Sequence, residues 1–268
     1  MFHNKKENPY TWPIKYASGA ASGLISTFVF HPIDALRIRT FLNPHNIGSI
    51  SSLTNGISFN IVSSIAKNFL TFPVREKIYA TLLNQQYSQL KADFMSSLIT
   101  GTLIGIISTP INVIKVPMQN NHQQPKLIPI IQNIYNHYGL KGFYRGGVAT
   151  FLRDILWTSI YFPIFDTINH ISMVNTYIDQ RIIASSFAAL CATTVAYPFD
   201  GIRLFRQRND TKALTEYNFW HGFKLSFALN KHNGKSYLLA ITRVSFATTI
   251  SHMSYLYISE YLTKKIDI

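Results

Sequence analysis

The octets Pro32-Ile33-Asp34-Ala35-Leu36-Arg37-Ile38-Arg39, Pro110-Ile111-Asn112-Val113-Ile114-Lys115-Val116-Pro117 and Pro198-Phe199-Asp200-Gly201-Ile202-Arg203-Leu204-Phe205 share one pattern. Each closes an apolar, helix-length stretch rich in small residues. They start 78 and then 88 residues apart in a chain of 268. A repeat of that period means three structural units, not one irregular domain. A second set of positions, not used to find the octets, keeps the same register at a constant offset of 90: Phe72-Pro73-Val74-Arg75-Glu76 falls on Phe162-Pro163-Ile164-Phe165-Asp166, and Arg153 falls on Arg243.

Composition sets the class. The chain is 47% hydrophobic and 14% charged, with a mean hydropathy of +0.09. That charged fraction is well below the quarter or so of a soluble domain. No clean apolar run of about 20 residues is present, because Ser, Thr, Asn or a charge interrupts every stretch. Such polar faces are tolerated in lipid only when turned toward protein or a water-filled path, which favours membrane helices over a soluble helical core. The formal net charge of +13 suits an anionic lipid surface, an anion-binding cavity, or both. The Lys and Arg are dispersed, so no nucleic-acid partner is expected. The lone Cys191 excludes a disulfide framework and a thiol metal site. Met1 to Tyr10 has no apolar segment or cleavage site of a signal peptide, so targeting information is expected to be internal.

Periodicity and length give six long helices: about Trp12–Thr40, Phe59–Asn84, Lys91–Gln119, Gly146–Ile171, Tyr177–Arg208 and Ser236–Lys264. At roughly 40 Å each they are long enough to cross a bilayer with tilt. Pro129–Tyr138 and Tyr217–Lys231 read as short amphipathic surface helices. Repeat one lacks most of its own: Pro32 to Gly56 spans 24 residues where Pro110 to Gly146 spans 36. The expected fold is an all-α membrane protein, a single domain over 1–268. Its six transmembrane helices fall in three pseudo-repeats (about 12–84, 91–171 and 177–264), with short surface helices, around a central cavity. The odd helices carry small residues at four-residue spacing: Gly19 and Gly23; Ser97, Gly101 and Gly105; Ser185 and Ala189. That spacing lets helix backbones approach closely.

The wording P-x-[D/N]-x-x-[K/R] resembles the signature of the mitochondrial carrier family, inner-membrane solute transporters, over almost the whole chain. The resemblance implies a multi-pass inner-membrane monomer, with both termini on the intermembrane-space side and the short helices on the matrix side. It also implies a matrix gate at the mouth of a three-fold bundle, where each Pro kinks its helix and aims the following charges inward. Carried over, Asp34 pairs with Lys115, Asp200 with Arg37, and Asn112 faces Arg203. The amide of Asn112 replaces the expected carboxylate and makes that third link a weaker hydrogen bond. The family's bracing Gln is matched by Gln119 and Gln207 but not by Phe41. Helix capping would account for the basic residues, but not for Asp34 and Asp200, which oppose the dipole.

Tyr144-Arg145-Gly146 matches the motif that opens a helix and binds cardiolipin phosphate in carriers, a use of the helix N-terminus for an anion. Its counterparts, Thr54-Asn55-Gly56 and Gly234-Lys235-Ser236, are eroded. The second gate, toward the intermembrane space, should show an aromatic-acid-x-x-Lys/Arg run. The chain instead offers Arg75-Glu76 with Tyr79, Phe165-Asp166 with Asn169 and Tyr255-Leu256 with Ser259. The expectation is therefore a weak or absent ionic lock there and easier net flow.

At the register of the family's substrate contacts stand Ser63-Ser64, Arg153-Asp154 and Arg243-Val244, with Trp157 one turn on. Intramembrane Arg is costly and marks a site, and two of them suit a carboxylate or phosphate. Trp157 suits a ring or a cation. Arg153-Asp154 resembles the pair in carriers of substrates with an amino-acid moiety. The short first loop, and Leu152-Arg153-Asp154-Ile155 running to Phe162-Pro163, most resemble the S-adenosylmethionine carrier branch. The expected cargo is thus a nucleotide-class metabolite, S-adenosylmethionine or ATP/ADP, with an amino acid or keto acid as the alternative. A carrier-like protein without transport is the structural rival, against which intact Arg153 and Arg243 argue. No cofactor or metal is expected. There is no His-Glu-x-x-His, phosphate loop or Ser elbow, so an enzyme is not expected, and His31 reads as a helix-end residue. Richness in Ile, Asn and Lys points to an AT-rich coding source, compatible with a mitochondriate cell, an intracellular bacterium or a virus acting on a host mitochondrion.

Overall fold

A computed structural model describes residues 11–42, 48–120, 126–171, 177–207 and 234–266. Among them are seven α-helices and no strand: α1 Thr11–Leu42, α2 Ile57–Asn84, α3 Gln89–Asn120, α4 Leu127–Tyr138, α5 Gly147–His170, α6 Tyr177–Gln207 and α7 Gly234–Ile266. Short 3-10 turns, Ile50–Thr54 and Leu140–Tyr144, precede α2 and α5. The six long helices begin and end within about two residues of the positions read from periodicity. The amphipathic segment expected at Tyr217–Lys231 lies outside the described residues.

The six long helices form a closed ring. α1 packs on α2, α2 on α3, α3 on α5, α5 on α6, α6 on α7, and α7 returns to α1. Small residues set the spacing. A Cβ at Gly23 would lie 2.5 Å from the Ser64 carbonyl oxygen of α2, and one at Gly101 would lie 2.9 Å from the Asp154 carbonyl oxygen of α5. Neither position has room for a side chain, so the glycines permit backbone contact where a larger residue would hold the helices apart. Pro32, Pro110 and Pro198 all lie inside their helices, which run on through the charged residues that follow. His31 is likewise in mid-helix, fully buried against Asn60 (2.9 Å), and is not the helix-end residue that its place before Pro32 suggested. Outside the ring, α4 puts Ile130 and Ile134 against Val113 and Met118 of α3.

Polarity runs opposite to that of a soluble protein. Asp34, Arg37, Arg203 and Asp200 are buried in the interior, whereas Phe28, Phe94, Phe187 and Phe246 are more than half exposed on the outside. An outer surface of this kind needs an apolar medium. Two helices, α3 and α6, also contain an 18-residue window with mean hydropathy 1.6, enough by length and composition to cross a membrane.

Along the ring axis the interior is layered. Phe72, Tyr161, Phe162, Phe165 and Tyr255 form one apolar layer. Ile38, Phe41, Leu42, Val116 and Leu204 form another. A polar cavity lies between them.

Candidate functional site

The cavity has a volume of about 230 Å³ and draws its walls from α1, α2, α3, α5, α6 and α7. Ser63 and Ser64 reach it from α2, Arg153, Asp154 and Trp157 from α5, and Arg243 from α7, so all six expected contact residues line one space. Their convergence follows from the offset of 90: Ser63, Arg153 and Arg243 occupy equivalent turns of α2, α5 and α7.

Not all of them are available in the same way. Arg153 donates through Nε to Asp154 (3.0 Å) and through Nη1 to Asp200 (3.1 Å). Asp154 also accepts from Ser108 (2.9 Å). Trp157 stacks on Tyr161 at 4.7 Å and donates Nε1–H to Thr193 (3.3 Å). Arg243 is less engaged: its Nε is buried without a hydrogen bond, 3.5 Å from Asp34. Six cationic side chains and three carboxylates line the cavity, an excess of three positive charges that attracts an anionic group.

Sequence reasoning missed Lys67, which projects into the same cavity 3.7 Å from Asp154. The signal was available, since a Lys in the middle of a helix that faces lipid is a site candidate by default.

The charges that follow each Pro meet at one end of the cavity. Lys115 Nζ lies 2.9 Å from Asp34 Oδ2, and Gln119 donates to the same oxygen at 3.3 Å. Arg37 pairs with Asp200 across the ring, from α1 to α6. Asn112 departs from expectation. Its amide nitrogen is buried without a partner, and Arg203 turns instead to Asp200 (2.8 Å) and to Gln207 (3.3 Å) on its own helix. Two nearby acceptors on α6 outcompete an amide across the ring, because a charged acceptor forms the stronger bond. Phe41, at the third bracing position, is buried in the apolar layer against Phe205 instead, with ring centroids 5.2 Å apart.

The opposite end corrects a second expectation. An ionic closure is present there, built from a residue outside the expected run. Arg75 of α2 pairs with Asp166 of α5 and with Asp93 of α3 (2.6 Å), its guanidinium lying over the rings of Tyr79 and Phe162. Glu76 accepts from Lys15 (2.9 Å) and from Tyr255 (2.6 Å). The basic partners missing after each acid are replaced by Arg75, one residue before Glu76, and by Lys15 of α1. An easy opening at this end therefore loses its basis.

Tyr144, Arg145 and Gly146 stand at the start of α5, where Gly146 takes a left-handed conformation with φ 66°. Tyr144 is exposed, while Arg145 lies over Tyr138 (4.6 Å) and donates to the Arg206 carbonyl (3.2 Å).

Comparison with known proteins agrees with this geometry. Residues 87–176 match the family described as mitochondrial carrier protein. The chain is 27% identical to the mitochondrial glycine transporter of Kluyveromyces lactis, over 87% of this chain and 92% of the relative. It is also 27% identical to the mitochondrial substrate carrier family protein ucpB of Dictyostelium discoideum, over 94% and 95%. The family supported is that of the mitochondrial carriers. Members of this family are transporters and not enzymes, and are multi-pass proteins of the inner mitochondrial membrane. The mitochondrial arginine transporter BAC2 of Arabidopsis thaliana is 21% identical over 72% of this chain and 73% of its own. Two of these relatives carry the names of amino acids and none that of a nucleotide, so the S-adenosylmethionine branch is not singled out.

Proposed function

We propose that this chain moves an amino acid across the inner mitochondrial membrane by alternating access, with Arg153, Asp154, Trp157, Arg243, Ser63 and Ser64 forming the binding site. The observation that carries this reading is the mixed charge of the cavity, where the carboxylate of Asp154 lines the same space as the cations Arg153 and Arg243. A carboxylate on the substrate would bind the cations, and its ammonium group would compete for Asp154. The cavity of about 230 Å³ is below the roughly 300–1,000 Å³ of sites for drug-sized ligands, which favours an amino acid over a nucleotide. The relatives named for glycine and arginine support the same class.

All six long helices span the membrane in this reading, as three pseudo-repeats of a single monomeric domain. The ion pairs of Asp34, Lys115, Arg37, Asp200 and Arg203, with Gln119, Gln207 and Asn112 beside them, close the matrix end. The Arg75 cluster closes the other end. A bound substrate would favour opening of either closure by replacing its charges at the midplane. Cardiolipin phosphate would bind where Tyr144, Arg145 and Gly146 present the amide end of α5.

A nucleotide-class cargo with an amino-acid moiety, S-adenosylmethionine, is the second reading, favoured by the Trp157 face beside Asp154. Liposomes carrying the purified protein and offered labelled glycine, arginine, glutamate, S-adenosylmethionine and ATP would decide between them. Uptake of an amino acid supports the first reading. Uptake of S-adenosylmethionine or ATP alone replaces it, and uptake of none removes the assignment to transport.

A further inference from the structure

We infer that Lys67 is a specificity-determining residue that receives a second carboxylate of the substrate, so that the preferred cargo is an acidic amino acid rather than a neutral one. The inference rests on the amino-acid reading above and concerns one side chain which that reading does not need. Lys67 lies one turn beyond Ser63 on α2, facing the cavity. Its ammonium group carries three donors and none makes a hydrogen bond among the described residues. The nearest carboxylate, Asp154, is 3.7 Å away, beyond hydrogen-bond distance. Asp154 is already served on both oxygens, by Arg153 on Oδ1 and by Ser108 on Oδ2. Lys67 is therefore a partly buried cation held near a carboxylate that has little left to offer it.

The other interior cations are largely committed. Arg153 spends all three of its nitrogens on Asp154 and Asp200, and Arg37 and Lys115 are held in the ion pairs at the end of the cavity. Arg243, with its Nε unbonded, is the second cation with donors to give. Two cations on different helices, α2 and α7, with a carboxylate on α5 between them in chain order, match a cargo bearing two carboxylates and one ammonium. The excess of three positive charges around the cavity points the same way, since a neutral zwitterion would leave all of it uncompensated in a low-dielectric space. At the equivalent turn of the other two spans stand Trp157 and Ala247, which also line the cavity. At this turn the cation thus stands on α2 alone, as a cargo with chemically different ends requires.

Glutamate and glutamine differ only in the group that Lys67 is assigned to bind. In proteoliposomes containing the full chain, wild type is expected to take up labelled glutamate at least about tenfold faster than labelled glutamine, the worth of one charge-assisted hydrogen bond. Lys67→Met should abolish that preference while glycine uptake persists, and Lys67→Arg should keep it. In detergent, glutamate should raise the thermal unfolding midpoint of wild type and Lys67→Arg more than glutamine does, and of Lys67→Met no more than glutamine does. A preference that survives in Lys67→Met, or equal handling of the two solutes by wild type, overturns the inference and leaves the amino-acid reading standing. Failure of wild type to move any amino acid removes both.

Discussion

Arg75 of α2 reaches across the ring to Asp166 of α5, at the end of the cavity where the residues after each acid offer no basic partner. The same guanidinium holds Asp93 of α3 at 2.6 Å, so one side chain ties three neighbouring helices. Removing one member of a buried ion pair leaves the other charge uncompensated, at a cost of about 3 kcal/mol or more. Arg75→Gln is therefore expected to lower the thermal unfolding midpoint and to raise net, unexchanged efflux from preloaded liposomes. A variant with unchanged midpoint and unchanged efflux would show that Arg75 closes nothing.

At the other end Asp34 and Lys115 form an ion pair between α1 and α3, at 2.9 Å. Asp34→Ala and Lys115→Ala are each expected to cut the initial rate of uptake at least about tenfold. Combined reversal, Asp34→Lys with Lys115→Asp, should recover part of it, since residues in one ion pair are energetically coupled. Recovery should be incomplete, because Asp34 also accepts from Gln119 (3.3 Å). Losses that simply add would separate the two residues.

Asn112 has a buried amide nitrogen without a partner, in a cavity wall that also contains Arg203. Asn112→Asp would supply the third link with the carboxylate it lacks and offset part of the cationic excess. The expected result is a higher unfolding midpoint and a lower turnover, as that closure becomes harder to open. A lower midpoint would mean that the cost of burying the new charge exceeds what Arg203 returns.

Phe41 occupies the bracing position that Gln119 and Gln207 fill in the other two repeats, yet it is 2% exposed and packed among Ile38, Leu42, Val116 and Leu204. Restoring the pattern with Phe41→Gln should destabilise the protein by about 3 kcal/mol, through lost apolar burial and a polar group placed in an apolar layer. Chemical denaturation in detergent measures it. A stabilised variant would mean that the amide reaches the Arg37–Asp200 pair.

The helical layout was legible because it is local. Apolar stretches, Pro and Gly positions and the offset of 90 fix where helices lie, and Gly23 and Gly101 meet neighbouring backbones where their four-residue spacing implied. The pairs Asp34–Lys115 and Arg37–Asp200, which the resemblance to the carrier family implied, also form. Partner choice within reach was not. Arg203 could turn to Asn112 or to its own helix, and only coordinates show that Asp200 and Gln207 win. Arg75 stands one residue before its acid and four before Tyr79, where the basic residue is expected, and that spacing of about one turn keeps it on the same helix face. Lys67 was not legible from the turn containing Ser63, Arg153 and Arg243, because it stands one turn beyond it, where the equivalent positions are the uncharged Trp157 and Ala247.

The most direct test of the central claim, that the midplane cavity is the route of transport, is the initial rate of labelled amino-acid uptake into proteoliposomes by wild type and by Arg153→Ala/Arg243→Ala. The account predicts saturable uptake by wild type and a loss of at least about a hundredfold in the double variant, with an unfolding transition still present. Uptake at the wild-type rate by the double variant would contradict it.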